Sequence, residues 1–127
     1  MKQLAVLDQL KSTGDMEKLI KVMSFNENRT YRQFEAVKIN DELYMSIQAS
    51  YGHYCSPRKT LLDITQYTEM EMAFVGKEGL MSIDKVEPYY SKLGLLVREL
   101  EEYFDGCSVY AYVPVELINE IYLSLKE

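Results

Sequence analysis

Leu43-Tyr44-Met45-Ser46-Ile47-Gln48-Ala49-Ser50-Tyr51 sets the architecture of this chain. Leu43, Met45, Ile47, Ala49 and Tyr51 alternate with Tyr44, Ser46, Gln48 and Ser50. Successive side chains of a strand point to opposite faces, so this spacing predicts a strand over 42–51 with one buried and one wet face. Upstream, residues 31–39 (Tyr-Arg-Gln-Phe-Glu-Ala-Val-Lys-Ile) carry the same period of two. Asn40-Asp41 lies between them. Both residue types tolerate left-handed backbone, so the pair of strands reads as a hairpin.

Outward from this hairpin the pattern changes twice. Residues 52–66, with Gly52 and Pro57, read as irregular. Met70, Met72 and Phe74 then face one way and Glu69, Glu71 and Ala73 the other. Gly76-Lys77-Glu78-Gly79 makes a second hairpin turn, and Leu80-Met81-Ser82-Ile83 returns. A long helix is expected from Asp84 or Glu87, with Pro88 in its first turn, a stripe of Tyr89, Leu93, Leu96, Leu100 and Tyr103, and Gly106 as its end. Cys107, Val109, Ala111 and Val113 alternate with Ser108, Tyr110 and Tyr112 as a fifth strand, which has no charged residue and is expected to be central. The strand at 31–39, with Arg32, Glu35 and Lys38, is expected at an edge. Pro114 opens a last helix buried through Leu117, Ile118, Ile121 and Leu125.

The N-terminal side is helical. Leu4, Leu7 and Leu10 suit a short amphipathic helix. Met16, Leu19, Ile20 and Met23 follow at i, i+3, i+4 and i+7, with Thr13 or Asp15 as cap and Asn26-Glu27-Asn28 as the stop. The order α-α-β-β-β-β-α-β-α predicts an α+β fold: an antiparallel sheet of about five strands with helices on one face. At 127 residues and 47% hydrophobic, the chain (1–127) reads as one domain.

Charge is uneven. Residues 1–59 carry 7 acidic and 9 basic side chains, and residues 60–127 carry 13 and 5. A half with a net charge of −8 is a poor nucleic-acid surface, because duplex binding needs clustered cations to replace condensed counterions. Arg29/Arg32 and Arg58/Lys59 are the only dense basic pairs. No direct DNA or RNA binding is expected. There is no run of 18 apolar residues, so no membrane span is expected. The N-terminal apolar stretch is too short for a signal peptide and the cysteines number two, so a cytoplasmic location is expected. Asn28-Arg29-Thr30 matches a glycosylation sequon, read as a chance match in that compartment.

Two candidate sites stand out. The first is the wet sheet face, with Tyr44, Gln48, Glu69, Glu71, Tyr110 and Tyr112, together with the acidic Glu99, Glu101 and Glu102 of the long helix. Tyrosine offers large contact area with few torsions to freeze, so this surface suits a protein partner with a basic face. Its plain reading is an ordinary solvated surface. The second is the loop Tyr51-Gly52-His53-Tyr54-Cys55-Ser56-Pro57-Arg58-Lys59. His53 could activate Cys55, and Arg58 and Lys59 could hold an anion, which would make a small enzyme or a nucleotide-binding protein. Arg58 is three residues after Cys55, so the phosphatase loop, which needs five intervening residues, is absent. The plain reading is an ordered loop, and it outweighs the catalytic one because proximity in sequence does not make a site. No catalytic residue, metal ligand set or cofactor motif is assigned. The methionines read as core.

Ser46-Ile47-Gln48-Ala49-Ser50, Tyr54-Cys55-Ser56-Pro57-Arg58, Tyr67-Thr68-Glu69-Met70-Glu71-Met72-Ala73 and Val109 to Leu117 resemble segments of small uncharacterised accessory proteins of phages and prophages of Gram-positive bacteria. The resemblance covers residues 43–120 in pieces. It implies an accessory protein in the host cytoplasm, of a kind that includes inhibitors of host defence and of CRISPR systems. The expectation is therefore a non-enzymatic, acidic, tyrosine-rich inhibitor of a defence or nucleic-acid-handling protein.

Overall fold

The computed structural model describes residues 4–26, 30–81 and 90–126. A 3-10 helix (Ala5–Gln9) leads into α1 (Met16–Asn26), β1 (Val37–Lys38), β2 (Tyr44–Gln48), a 3-10 turn (Ile64–Gln66), β3 (Glu69–Gly76) and β4 (Gly79–Met81). Then come α2 (Tyr90–Leu93), α3 (Leu96–Glu101), β5 (Val109–Pro114) and α4 (Val115–Lys126). All strand pairs are antiparallel, and the expected α+β class is what forms.

β3 is the spine. β2 pairs along one side of it, while β4 and β5 share the other side end to end, β4 against Phe74–Gly76 and β5 against Glu69–Ala73. β5 has one strand neighbour and lies at the border of the sheet, not at its centre. The register brings Met45 opposite Phe74, Ile47 opposite Met72, and Met70 opposite Val113, all buried on one face. α4 covers β3 and β5 there, α3 leans on β5 and α4, and the N-terminal 3-10 helix packs on α4. Leu117, Ile118, Ile121 and Leu125 are the buried side of α4, as its spacing predicts. Each such side chain contributes ~1.5–3 kcal/mol on leaving water. Asn119, also buried, accepts the Val6 N–H at 2.9 Å and so fixes the N-terminal segment to α4.

Turns follow their chemistry. The Asn40 carboxamide accepts the N–H groups of Glu42 and Leu43, closing the first hairpin. Lys77-Glu78 closes the second between paired Gly76 and Gly79. Asp15 caps α1 by accepting from Glu17 and Lys18.

Three further expectations are corrected. The strand at 31–39 shrinks to Val37–Lys38. Upstream of it the segment leaves β2 and pairs instead with residues 11–13, through Thr13 N–H to Gln33 O and Glu35 N–H to Lys11 O. The α1 stripe is not core: Met23 is buried, but Met16, Ile20, Val22 and Phe25 are exposed, Phe25 at 86%. The long helix is broken. Gly94 takes φ +55°, a left-handed conformation that no continuous right-handed helix accommodates, and it separates α2 from α3. The expected start of that helix at Asp84–Pro88, its Tyr89, the returning Ser82-Ile83 and the stop at Glu27-Asn28 lie outside the described residues.

β5 carries a bulge. Two steps on β3, from Met70 to Met72, match three on β5, from Val113 to Tyr110. Tyr112, within the extra step, has φ +55°, unusual for a residue with a bulky side chain. The extra residue turns Tyr110 to the core side with Val113, where its ring meets Phe74 and Phe104 edge-on. Tyr112 is left half-exposed outside.

Candidate functional site

The 50–61 loop is held by a buried arginine. Arg32 comes from the segment that peels away from β2, and only 4% of it is exposed. Its guanidinium donates to Ala49 O and Leu61 O, both at 2.5 Å, and to the Tyr67 hydroxyl at 3.2 Å, and it lies over the Phe34 ring at 4.4 Å. One side chain thus joins the end of β2 to the far end of the loop. Tyr67 completes the clamp: its hydroxyl accepts the Leu61 N–H and donates to Lys59 O. Thr60 donates to Thr30 O and accepts the Tyr51 N–H. Burial pushes the Arg32 pKa down, opposed by Tyr67. No carboxylate pairs with it among the described residues.

The reactive side chains of the loop face inward. Ser50, with no exposure, shares a 2.7 Å hydrogen bond with Nδ1 of His53 and accepts the Gly52 N–H. The Tyr31 ring lies beside His53 with centroids 4.9 Å apart. Gly52 is required beneath it, since a Cβ there would stand 2.5 Å from the Tyr31 ring. Burial pushes the His53 pKa down, with Glu71 opposing, so the imidazole is neutral at pH 7. The buried Cys55 thiol hydrogen-bonds to Ser50 O and Pro57 O, and burial pushes its pKa up. A buried, protonated thiol is a poor nucleophile. His53 bonds Ser50 rather than Cys55, so in place of the alternative His–Cys pair the two side chains are separate anchors of the turn. Titration of the native protein with an aromatic disulfide reagent should therefore modify the exposed Cys107 rapidly, and Cys55 only after denaturant is added. Rapid modification of Cys55 in the folded protein would restore the nucleophile reading.

What faces outward is a rim of tyrosines around one arginine. Tyr31, Tyr51, Tyr54 and Tyr112 are all exposed by 40% or more. Tyr54 and Tyr112 pack at 5.8 Å, and the Tyr112 N–H donates to Tyr54 O. Arg58 donates from Nε to Tyr51 O at 3.1 Å and lies 5.3 Å over the Tyr54 ring. Glu71 and Glu69, half-buried, support this rim from below. Glu71 accepts the Tyr54 N–H and Glu69 accepts the Ser56 hydroxyl.

The wet sheet face is thus reorganised relative to expectation. Tyr44 is half-buried, Glu69 and Glu71 hold the loop, and Tyr110 lies inside. Gln48 is buried too. Its carboxamide accepts the Phe34 N–H at 2.7 Å and donates to Phe34 O at 3.0 Å, replacing a ladder rung where the 30–36 segment departs. Glu99, Glu101 and Glu102 are exposed on and just after α3. The two surfaces flank β5: Ala111 N–H bonds Tyr103 O on one side and Tyr112 N–H bonds Tyr54 O on the other. Arg32, Tyr31, Thr60 and Tyr67 are missing from the sequence-based site, and Ser50, read with Tyr44, Ser46 and Gln48 on the wet face, is buried. The available signal was Arg32 sharing a face with Phe34 in a period-two run.

No group of His, Cys, Asp and Glu that could hold a metal occurs among the described residues, and no helix there is long and apolar enough to cross a membrane. Compared with protein-family models, curated proteins and solved structures, the chain matches none.

Proposed function

We propose that this chain is a non-enzymatic protein-binding module, an accessory inhibitor that occupies a basic surface of a host-defence or nucleic-acid-handling protein in the manner of an anti-CRISPR. One observation carries the reading. The loop encloses its serine, histidine and cysteine and presents Tyr31, Tyr51, Tyr54, Tyr112 and Arg58 on a pinned platform. Tyrosine and arginine dominate the energetics of protein interfaces. The carboxylates of Glu99, Glu101 and Glu102, across β5, supply the field that steers a basic partner, and such steering is screened by salt. The resemblance to phage accessory segments points the same way. The competing reading as an enzyme or nucleotide-binding protein keeps Tyr54, Arg58 and Lys59 of its loop accessible, but its proposed nucleophile and base, Cys55 and His53, are buried.

The test is capture of a partner from a Gram-positive bacterial lysate by the immobilised protein. A specific partner should be retained at low salt and released at high salt. The double substitution Tyr54→Ala/Tyr112→Ala should lose it while the fold persists. Capture that is indifferent to the double substitution and to salt, or a salt-dependent shift of DNA or RNA by the protein alone, would overturn the reading.

A further inference from the structure

Arg58 is the unusual member of the rim. The chain has 20 carboxylates and a net charge of −6, yet Arg58 forms no ion pair among the described residues. It is also not loose. Its Nε–H is committed to Tyr51 O, and its carbon plane rests on the Tyr54 ring. Two constraints from two tyrosines fix the guanidinium and leave its outer N–H groups without a partner among the described residues. Holding a long exposed side chain in one geometry is the main entropic cost of an arginine contact, and here much of it is met before any partner arrives.

The surroundings are built with similar care. Tyr112 holds φ +55° in mid-strand, where glycine or asparagine is the usual occupant. That strained position is what sets its ring beside Tyr54. Backbone strain of this kind costs on the order of 1–3 kcal/mol and gathers where a surface is used.

We propose that Arg58 is the anchor of the binding surface and that it receives a single carboxylate from the protein partner, an Asp or Glu side chain, within the ring of Tyr51, Tyr54 and Tyr112. The proposal rests on the binding-protein reading and adds the chemistry of its contact. A planar guanidinium with two outer NH2 groups matches a carboxylate through paired hydrogen bonds. The Tyr54 ring beneath the guanidinium, with Tyr112 packed beside it, shields one side of the pair from water and strengthens it. Arg58 and the adjacent Lys59, above the carboxylates of Glu69 and Glu71 that hold the loop, give a small local charge that suits one isolated carboxylate and disfavours a polyphosphate chain. Steering and anchoring are thus divided: the α3 carboxylates attract a basic surface, and Arg58 grips one acidic residue within it.

The experiment is a titration of the isotope-labelled full chain, followed through the Arg58 Nε–H and the Tyr54 and Tyr112 ring signals. The probes are acetyl-glutamate amide, acetyl-lysine amide and inorganic phosphate. The proposal expects saturable shifts of these signals with the glutamate probe and none with the lysine probe. Arg58→Gln should weaken glutamate binding about tenfold or more, the loss of a charge-assisted pair. Arg58→Lys, which keeps the charge but not the fork, should weaken it nearly as much. Absence of saturation, equal binding by Arg58→Lys, or tighter binding of phosphate than of the carboxylate would each overturn the anchor. Those outcomes differ from failure of the binding reading, which is judged by whether Tyr54→Ala/Tyr112→Ala still captures the partner.

Discussion

Arg32→Ala is expected to remove at least ~3 kcal/mol of stability, the largest loss from any single polar substitution in this chain. The substitution strips partners from Ala49 O and Leu61 O and uncovers the Phe34 ring. Buried polar groups left without partners cost ~1–3 kcal/mol each, and a cavity adds to that. Single domains hold only about 5–15 kcal/mol in total, so the midpoint of urea unfolding should move visibly. Tyr67→Phe isolates the hydrogen-bonding part. It keeps the ring volume but removes the hydroxyl from Leu61 N–H, Lys59 O and Arg32. Its cost should be about 2 kcal/mol. A loss below 1 kcal/mol for Arg32→Ala would mean that the loop is held by its other contacts.

The second large effect is expected at Gln48. Gln48→Leu fills nearly the same space but leaves the Phe34 N–H and C=O both unpaired in a buried setting, so a loss of ~2–3 kcal/mol is expected in the same unfolding assay. Gln48→Glu retains an acceptor for the N–H but, as a carboxylate, has no donor for the carbonyl. Its loss at neutral pH should therefore be of the same order, and it should ease in acid, where a protonated carboxyl regains the donor. A neutral effect of Gln48→Leu would show that the 30–36 segment does not depend on this carboxamide.

Much of the fold was legible because periodicity reports local geometry. The alternations at Leu43–Ala49 and Met70–Phe74 and the helical stripe Leu117–Leu125 all point as their spacing requires. What escaped depends on longer-range or backbone-specific terms. A bulge inserts one residue, so the side chains on its two sides fall out of alternation, which puts Tyr110 on the core face together with Val113. Gln48 looked like a wet-face residue because its partner, the Phe34 backbone, lies 14 residues away. Gly94 could be read as tolerated inside a helix until its left-handed φ is known. Residues 51–59 lie in irregular structure, as their composition suggests, but the direction of their side chains was not readable. Inward or outward orientation of His53 and Cys55 is decided by hydrogen bonds to Ser50, a residue that lies outside the 51–59 cluster.

The inward clamp separates two jobs that a loop usually has to share. Order at residues 50–61 comes from Arg32, Tyr67, Thr60 and Ser50, none of which needs the side chains of Tyr51, Tyr54 or Arg58. Those three outward positions can therefore be exchanged without unmaking the frame beneath them. In that respect the loop is organised like a replaceable reading head on a fixed mount: a library randomised at 51, 54 and 58 would vary what is recognised while the domain itself continues to fold.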